Sequence, residues 1–396
     1  MTKRLKMAFV NLWTSYATYY FGKVNLSIVV PVLLVTYKDL SLYNVGLVSS
    51  GFFFAYAIGQ FLHGQISERF NPFIYISAGL LLSGIMNITL GFSAGFFLAL
   101  LLLETFDGFF QAMGWSSIVR ANSIIQKSKK REKSTTILGT SYQVGNSVAW
   151  LISALVVGQW GWRWGFWVAA VFLIGRGLLL LATYPRNVKI EKSEKISIQL
   201  SRTLTTPIVL SGLGLCFLNM VRYGVITWIP LYLFQQGHYG IEQIGKVGLK
   251  VFLLPIAGVL GTMAYMMFKR ITKDVLSMVC LICVGISLCF LPESQGMVTV
   301  LILAIGSFFL YGPHVFLVTT CPTRFCKEKI VAASTGFIDG MGYVGTVLIG
   351  IIVPFILTQS SNDWHQVFYF WAILSVVTAM LTLVNYLAYF RKRGQG

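Results

Sequence analysis

Acidic side chains are scarce in this sequence: 13 aspartates and glutamates stand in 396 residues, against 31 lysines and arginines. Charged residues of both signs make up only 11% of the chain, apolar residues make up 56%, and mean hydropathy is +0.73. A water-soluble domain of this length needs far more polar surface, so that class is excluded. Histidine is nearly absent too. His63, His238, His314 and His365 are scattered, and no metal-ligand spacing, nucleophile elbow or phosphate-binding loop accompanies them. An enzymatic reading therefore has no support, and no cofactor or metal is expected. The six cysteines (Cys216, Cys280, Cys283, Cys289, Cys321, Cys326) all fall in the second half, in or beside apolar runs. Cys280 and Cys283 form a CxxC pair, but inside such a run and with no histidine nearby, so these residues read as small packing groups. A cleaved leader is not expected. The basic segment Thr2–Met7 precedes an apolar run, Ala8 to Tyr37, that is too long for a signal sequence and lacks a small-residue cleavage site.

What the sequence has instead is long apolar runs. They lie at Met7–Thr36, Tyr43–Ile66, Pro72–Phe92, Gly95–Val119, Ser134–Val157 and Trp164–Tyr184 in the first half. The second half gives Thr206–Phe234, Ile241–Phe268, Val275–Leu291, Val298–Thr319, Ile330–Leu357 and Val367–Phe390. Each is near or above the roughly 20 residues that a helix needs to cross about 30 Å of hydrocarbon. Backbone polar groups must be satisfied within such a segment, so helices are expected throughout. The fold class expected is an all-α polytopic membrane protein of twelve transmembrane helices in two pseudo-symmetric six-helix bundles.

Basic residues decide the orientation. With the N-terminus inside, the inner loops carry Lys3, Arg4, Lys6, Arg69, Arg120, the Lys127–Lys133 cluster, Arg270, Lys273, Arg324 and Arg391 among many others, while the outer loops carry only Lys38, Arg163 and Lys246. Both termini are therefore expected to be cytoplasmic. This spread over short loops also accounts for the net charge of +18 without nucleic-acid binding. The short loops suit a bacterial inner membrane. The longest hydrophilic stretch, Pro185–Thr205, splits the runs six against six. The expected domains are thus an N-terminal bundle over 1–184, a cytoplasmic linker over 185–205 and a C-terminal bundle over 206–396.

The halves echo each other. Lys23 and Pro31 in the first run have the same spacing as Arg222 and Pro230 in the seventh, and tyrosines flank both cations: Tyr19 and Tyr20 in one case, Tyr223 in the other. The fourth and tenth runs carry Gly108-Phe109-Phe110-Gln111 and Ser307-Phe308-Phe309-Leu310 at similar places. Two parallel six-helix repeats with a site at their interface would produce this pattern.

Few charges remain within the runs: Lys23, Arg176, Arg222, Lys250, Glu104, Asp107 and Asp339. A charge at mid-membrane costs at least about 2.5–3.5 kcal/mol, so each should face a cavity or a partner. Lys23 and Arg222 are the conspicuous pair, at matching depth in the two halves. They bind a small anionic substrate or are neutralised by internal acids. Arginine grips phosphate or carboxylate with a planar fork, and lysine adds a point charge. Asp107 and Asp339 read as proton-coupling carboxylates or as counter-ions, and Lys250 as a further lining cation or a paired one. Glu104 reads as structural. Arg176, near the inner end of its run, is expected to snorkel. His314 follows Gly312-Pro313, where a helix break could turn it inward.

The segment Gly64-Gln65-Ile66-Ser67-Glu68-Arg69 resembles the loop signature of the major facilitator superfamily, with Glu68 at the usual aspartate. A closer resemblance is to its organophosphate:phosphate antiporters, the glycerol-3-phosphate and hexose-6-phosphate transporter group. Tyr19-Tyr20-Phe21-Gly22-Lys23-Val24-Asn25, Arg69-Phe70-Asn71-Pro72, Gly108-Phe109-Phe110-Gln111-Ala112-Met113-Gly114-Trp115, Arg222-Tyr223-Gly224-Val225-Ile226-Thr227-Trp228-Ile229-Pro230 and Tyr311-Gly312-Pro313 carry it. The resemblance implies two substrate-binding cations, here Arg222 and Lys23, the latter at a position where the family has arginine. It implies a cytoplasmic latch at Glu68 and Arg69. Gln60 and Gln143 fall where one subgroup has lysine and histidine. Secondary contacts expected are Tyr19, Tyr20, Gln111, Gln143, Asn146, Tyr223, Trp228 and Tyr311, whose hydroxyl, amide and indole groups suit hydroxyls and phosphate oxygens.

The function so implied is a monomeric secondary transporter in the lipid bilayer. It would exchange an organophosphate for inorganic phosphate by rocker-switch alternating access. The alternatives are a proton-coupled carboxylate or siderophore carrier, a membrane sensor of sugar phosphate, and an exporter of anionic drugs.

Overall fold

Hydrocarbon leaves an apolar run little choice but helix, and helix is what the chain forms. A computed structural model describes residues 3–93, 96–126, 128–185, 205–325 and 331–393, and no strand occurs among them. In the first half, α1 spans Lys3–Thr36, α2 Leu42–Ile66, α3 Pro72–Ser93, α4 Phe97–Ile125, α5 Ser128–Trp160 and α6 Arg163–Thr183. In the second, α7 spans Thr206–Gln236, α8 Ile244–Met267, α9 Lys273–Phe290, α11 Val331–Gln359 and α12 Trp364–Arg393. Between them α10 runs from Gly296 to Val315, through a π-helical turn at Phe316–Thr320, and on to Phe325. Most of the expected linker, residues 186–204, lies outside the described residues.

Connections are short and locally specified. Ser41 caps α2: its hydroxyl accepts from the Asn44 N–H while the Asn44 side chain accepts from the Ser41 N–H. Such reciprocal capping starts a helix only a few residues after α1 ends.

Eleven helices among the described residues are long and apolar enough to cross a bilayer. The exception is α5, whose polar residues turn inward: Ser141, Gln143, Asn146, Ser147 and Ser153 are all buried. Its low hydropathy therefore reflects what it presents to its neighbours rather than to lipid. The apolar side chains on other helices show the converse. Phe54, Ile58 and Phe61 on α2, Leu98, Leu102 and Phe106 on α4, and Leu249, Leu253, Ile256 and Leu260 on α8 are exposed in stripes at helical spacing. A large exposed apolar stripe is the face a bilayer covers. The protein is a multi-pass membrane protein.

By proximity the chain separates into two compact units, residues up to 195 together with 227–252, and residues 196–226 together with 253–396. Within the first unit, a Cβ added at Gly145 of α5 would strike the backbone of Ala17 on α1, and one at Gly108 of α4 would strike the backbone of Phe52 on α2. In the second, a Cβ at Gly345 of α11 would strike the Cys216 backbone on α7, and one at Gly261 of α8 would strike the Phe308 backbone on α10. The third pairing is α3 with α6, where Gly177 lies on Leu81, and α9 with α12, where Gly285 lies 3.4 Å (as a Cβ) from the Ala372 carbonyl. Helices one and five, two and four, and three and six of each six-helix series thus meet at a glycine, which lets backbones approach closely in a medium with no hydrophobic drive between helices. The repeat legible in a few letters is present as a repeated scheme of helix contacts.

Candidate functional site

On α1, Tyr16, Tyr20 and Lys23 follow at helical spacing and so share one face. The Lys23 ammonium lies 3.7 Å from the Tyr56 ring centre, 5.5 Å from that of Tyr20 and 5.9 Å from that of Phe53. A cation over such faces gains about 0.5–2 kcal/mol while keeping its charge. Gln60, one turn beyond Tyr56 on α2, donates to the Tyr56 hydroxyl at 2.8 Å and holds the ring in place. Tyr20 packs on Tyr142 of α5 with ring centres 5.9 Å apart. The next residue on α5, Gln143, is buried, and its amide nitrogen has no hydrogen-bond partner among the described residues; the same holds for the amide oxygen of Asn146 one turn on. A buried amide without a partner costs stability, so these groups call for a bound molecule or water.

Other expected contacts serve the packing of the first unit. Tyr19 is 1% exposed and its hydroxyl donates to the Ile76 carbonyl at 2.8 Å, tying α1 to α3. Gln111 donates to Ser83 Oγ at 2.8 Å. Asp107 is fully buried and accepts from the Asn87 amide at 2.9 Å, and Asn87 in turn accepts from Asn25 at 2.8 Å. This chain joins α4, α3 and α1 through neutral amides. Glu104 is buried three residues before Asp107 on α4.

The second cluster is built on α7. Arg222 is 5% exposed. Its guanidinium carbon lies 4.8 Å from the Tyr223 ring centre and 5.2 Å from that of Tyr311 on α10, and both tyrosines are buried. Arg222 Nη1 stands 3.3 Å from His314 Nε2. Asp339 on α11 lies near enough for its carboxyl to interact with the Arg222 charge. Arg222, Tyr223, Tyr311 and Asp339 are thus brought together, with His314 added. Trp228, a turn and a half along α7, is fully buried with its indole N–H unpartnered among the described residues.

The remaining candidates lie elsewhere. Lys250 points at Tyr239, in the connection between α7 and α8, with its ammonium 5.2 Å from that ring and Lys246 at 5.6 Å from the same ring. Arg69 is exposed, and the side chain of Glu68 falls outside the described residues. The loop they occupy is held from α4, where Arg120 donates to the Phe70 carbonyl at 3.0 Å. Arg176 is held at the inner part of α1, at Asn11, whose amide also donates to Thr183 at the end of α6. The arginine donates to the Asn11 carbonyl at 2.7 Å, to the Asn11 side chain at 3.0 Å and to Ser15 Oγ at 3.1 Å, so the carbonyl and hydroxyl of α1 satisfy it. An ion pair that the spacing of charges did not suggest, Arg324 with buried Asp274 at 2.5 Å, joins the end of α10 to the start of α9.

The aromatic seat of Lys23 was half legible, since Tyr20 is a neighbour in sequence but Phe53 and Tyr56 come from another helix. For His314 the signal is Gly312-Pro313 before it. Pro313 has no N–H to give, and the helix loosens into a π turn just beyond.

The profile of the Major Facilitator Superfamily matches residues 12–348. A "Probable hexose phosphate transport protein" of Chlamydia pneumoniae is 25% identical, over 95% of this chain and 89% of that protein. The "Membrane sensor protein UhpC" of Salmonella typhimurium is 24% identical, over 95% of this chain and 89% of that protein. Among solved structures, a bacterial homolog of the human lysosomal transporter Spinster, inward-facing and unoccupied, superposes with a TM-score of 0.76 at 15% identity, covering 98% of this chain and 97% of that one.

Proposed function

Because this chain belongs to the Major Facilitator Superfamily and is a membrane transporter, we propose that its cargo is an organophosphate exchanged for inorganic phosphate, gripped by Lys23 and Arg222. The observation that carries this reading is the matched setting of the two cations. Each stands on the first helix of its repeat, and each is walled by tyrosine, Tyr20 and Tyr56 in one case and Tyr223 and Tyr311 in the other. Aromatic faces steady a cation without cancelling it. A cation in such a setting suits a small anion, and arginine can offer two parallel N–H bonds to phosphate. The relatives' names, hexose phosphate transport among them, agree with this chemistry.

Exchange follows from electrostatics. If one divalent anion is shared by two cations, the carrier changes state at lower cost loaded than empty, which makes transport fastest when loaded in both directions. Gln143 and Asn146 are the groups we assign to the organic part. The basic inner loops support an orientation with both termini cytoplasmic, and a monomer in a bacterial inner membrane is part of the same proposal. Two six-helix halves, 1–184 and 206–396, joined by 185–205, are the working domains. No role in nucleic-acid binding is assigned.

The test is counterflow: proteoliposomes loaded with inorganic phosphate should accumulate labelled glycerol phosphate or hexose phosphate. Lys23→Gln and Arg222→Gln should each abolish it. Wild-type uptake by either variant, or uptake that ignores internal phosphate and follows a pH gradient, would sink the exchange reading. A second reading, a sensor of sugar phosphate, is favoured by the likeness to a protein named a membrane sensor. It predicts ligand binding without counterflow.

A further inference from the structure

His314 stands out because it faces a cation. Arg222 Nη1 is 3.3 Å from His314 Nε2. A guanidinium has only donors and keeps its proton at any physiological pH. The imidazole nitrogen opposite it must therefore be the acceptor, which puts the ring's single proton on Nδ1. His314 is neutral in this arrangement, because a proton on Nε2 would set one donor, and one positive charge, against another.

The groups around it are few. Arg222 and Tyr223 come from α7, Tyr311 from α10, the helix of His314 itself, and Asp339 from α11, with its carboxyl interacting with Arg222. From α8, Tyr265 packs beside Gly312, with its hydroxyl occupied by the Lys273 carbonyl at 3.0 Å and Ser277 Oγ at 2.8 Å. The ring is carried by the segment between Pro313 and the π turn at Phe316–Thr320, an irregular stretch of the kind found at functional positions.

We infer that His314 is a further substrate-site residue, and that an anion binding at Arg222 brings one proton onto it. The inference rests on the reading of Arg222 as an anion ligand. When a phosphate dianion takes the Nη1 hydrogen bond, Nε2 loses its donor and gains a negative neighbour. The ring then takes one proton from the buffer on Nε2 and keeps it there, and this N–H donates a hydrogen bond to a phosphate oxygen. Nothing covalent changes: the dianion and the proton arrive together and leave together. The site so built would favour ligands in proportion to their negative charge, and transport would be proton-linked without a separate proton path.

The experiment is calorimetric titration of the full chain in lipid nanodiscs with glycerol phosphate. A phosphate monoester loses its second proton near pH 6, so at about pH 7.5 it is a dianion. Heats in buffers of different ionisation enthalpy give the protons taken up per ligand bound. The wild type should take up close to one. His314→Gln, which keeps an acceptor for Arg222 and a donor for phosphate, should bind with uptake near zero, and Asp339→Asn should keep it. Equal uptake by wild type and His314→Gln, with binding lost in Arg222→Gln, overturns the inference and leaves the anion reading standing. Uptake lost in Asp339→Asn but kept in His314→Gln overturns it as well. Binding that survives Arg222→Gln overturns both readings. A measurement on the unaltered chain guards against a variant that fails to fold. Its dissociation constant should rise toward tenfold per pH unit above pH 7, and a flat profile overturns the inference.

Discussion

The ammonium of Lys23 on α1 lies 3.7 Å from the ring centre of Tyr56 on α2, and Gln60 holds that ring by a 2.8 Å hydrogen bond to its hydroxyl. The contact is a seat for a charge within the membrane, and it makes a graded prediction. Tyr56→Phe keeps the ring and should leave transport within a few-fold of wild type. Tyr56→Leu removes a cation–π contact worth about 0.5–2 kcal/mol, which corresponds to roughly 2- to 30-fold in affinity for the anion. Saturation curves for counterflow would read this as a raised half-saturation constant. Equal behaviour of the two variants would show that the ring does not support Lys23 in the working protein.

Gln143 separates stability from function. Its amide nitrogen is buried without a hydrogen-bond partner among the described residues. An unsatisfied buried donor costs about 1–3 kcal/mol, so Gln143→Leu, similar in size and apolar, should raise the midpoint of thermal unfolding in detergent. The same change should weaken the organophosphate about tenfold or more if the amide meets the organic part of the substrate. Higher stability with unchanged affinity would remove Gln143 from the site.

How much of this could be read from the sequence follows from how local each feature is. Helices are legible because lipid imposes them on any long apolar run, and α5 is legible only by allowing that a polar helix can hide among apolar ones. Arg222 and Lys23 stand out because charge at mid-membrane is costly wherever it occurs. Their surroundings are not local. Tyr56 belongs to the helix after Lys23, and His314 lies 92 residues from Arg222, so no spacing rule joins them. Arg176 shows the same limit. Its depth in the run is legible, but the oxygen atoms of Asn11 and Ser15 that receive it are far off in sequence. Lys250 reads from its depth in an apolar run as a lining cation or a paired one, and Tyr239, the ring its ammonium faces, lies in a connecting segment.

Asp107 tests whether a buried carboxyl couples transport or holds helices. It accepts from Asn87, which also accepts from Asn25, so three helices meet through it. Asp107→Asn keeps an acceptor of the same shape and should retain folding and phosphate counterflow. Asp107→Ala leaves the Asn87 donor unpaired and should destabilise by about 1–3 kcal/mol, seen as a lower unfolding midpoint. Loss of counterflow in Asp107→Asn with an unaltered unfolding midpoint would instead place the acid in the transport cycle.

The glycine contacts make the repeat testable as a physical object. Gly145 lies against the Ala17 backbone and Gly345 against the Cys216 backbone, the same pairing of helices in the two series. In both cases the obstacle to a side chain is main chain, which cannot swing aside as a flexible side chain would. Gly145→Ala and Gly345→Ala should each force the helices apart and cost about 1–3 kcal/mol, the usual penalty for overfilling a packed core. Gly139 and Gly336 precede them on the same two helices, and a Cβ at either meets nothing within 4 Å. Alanine at those positions should therefore be tolerated or mildly stabilising, since alanine favours helix over glycine by about 1 kcal/mol. Four unfolding midpoints in one detergent decide the matter. If Gly145→Ala and Gly345→Ala fall together while the other two hold, close approach of helix one to five and of seven to eleven is required in both halves. If the two glycine pairs behave alike, the contacts do not bear on stability, and the structural repeat loses its energetic meaning.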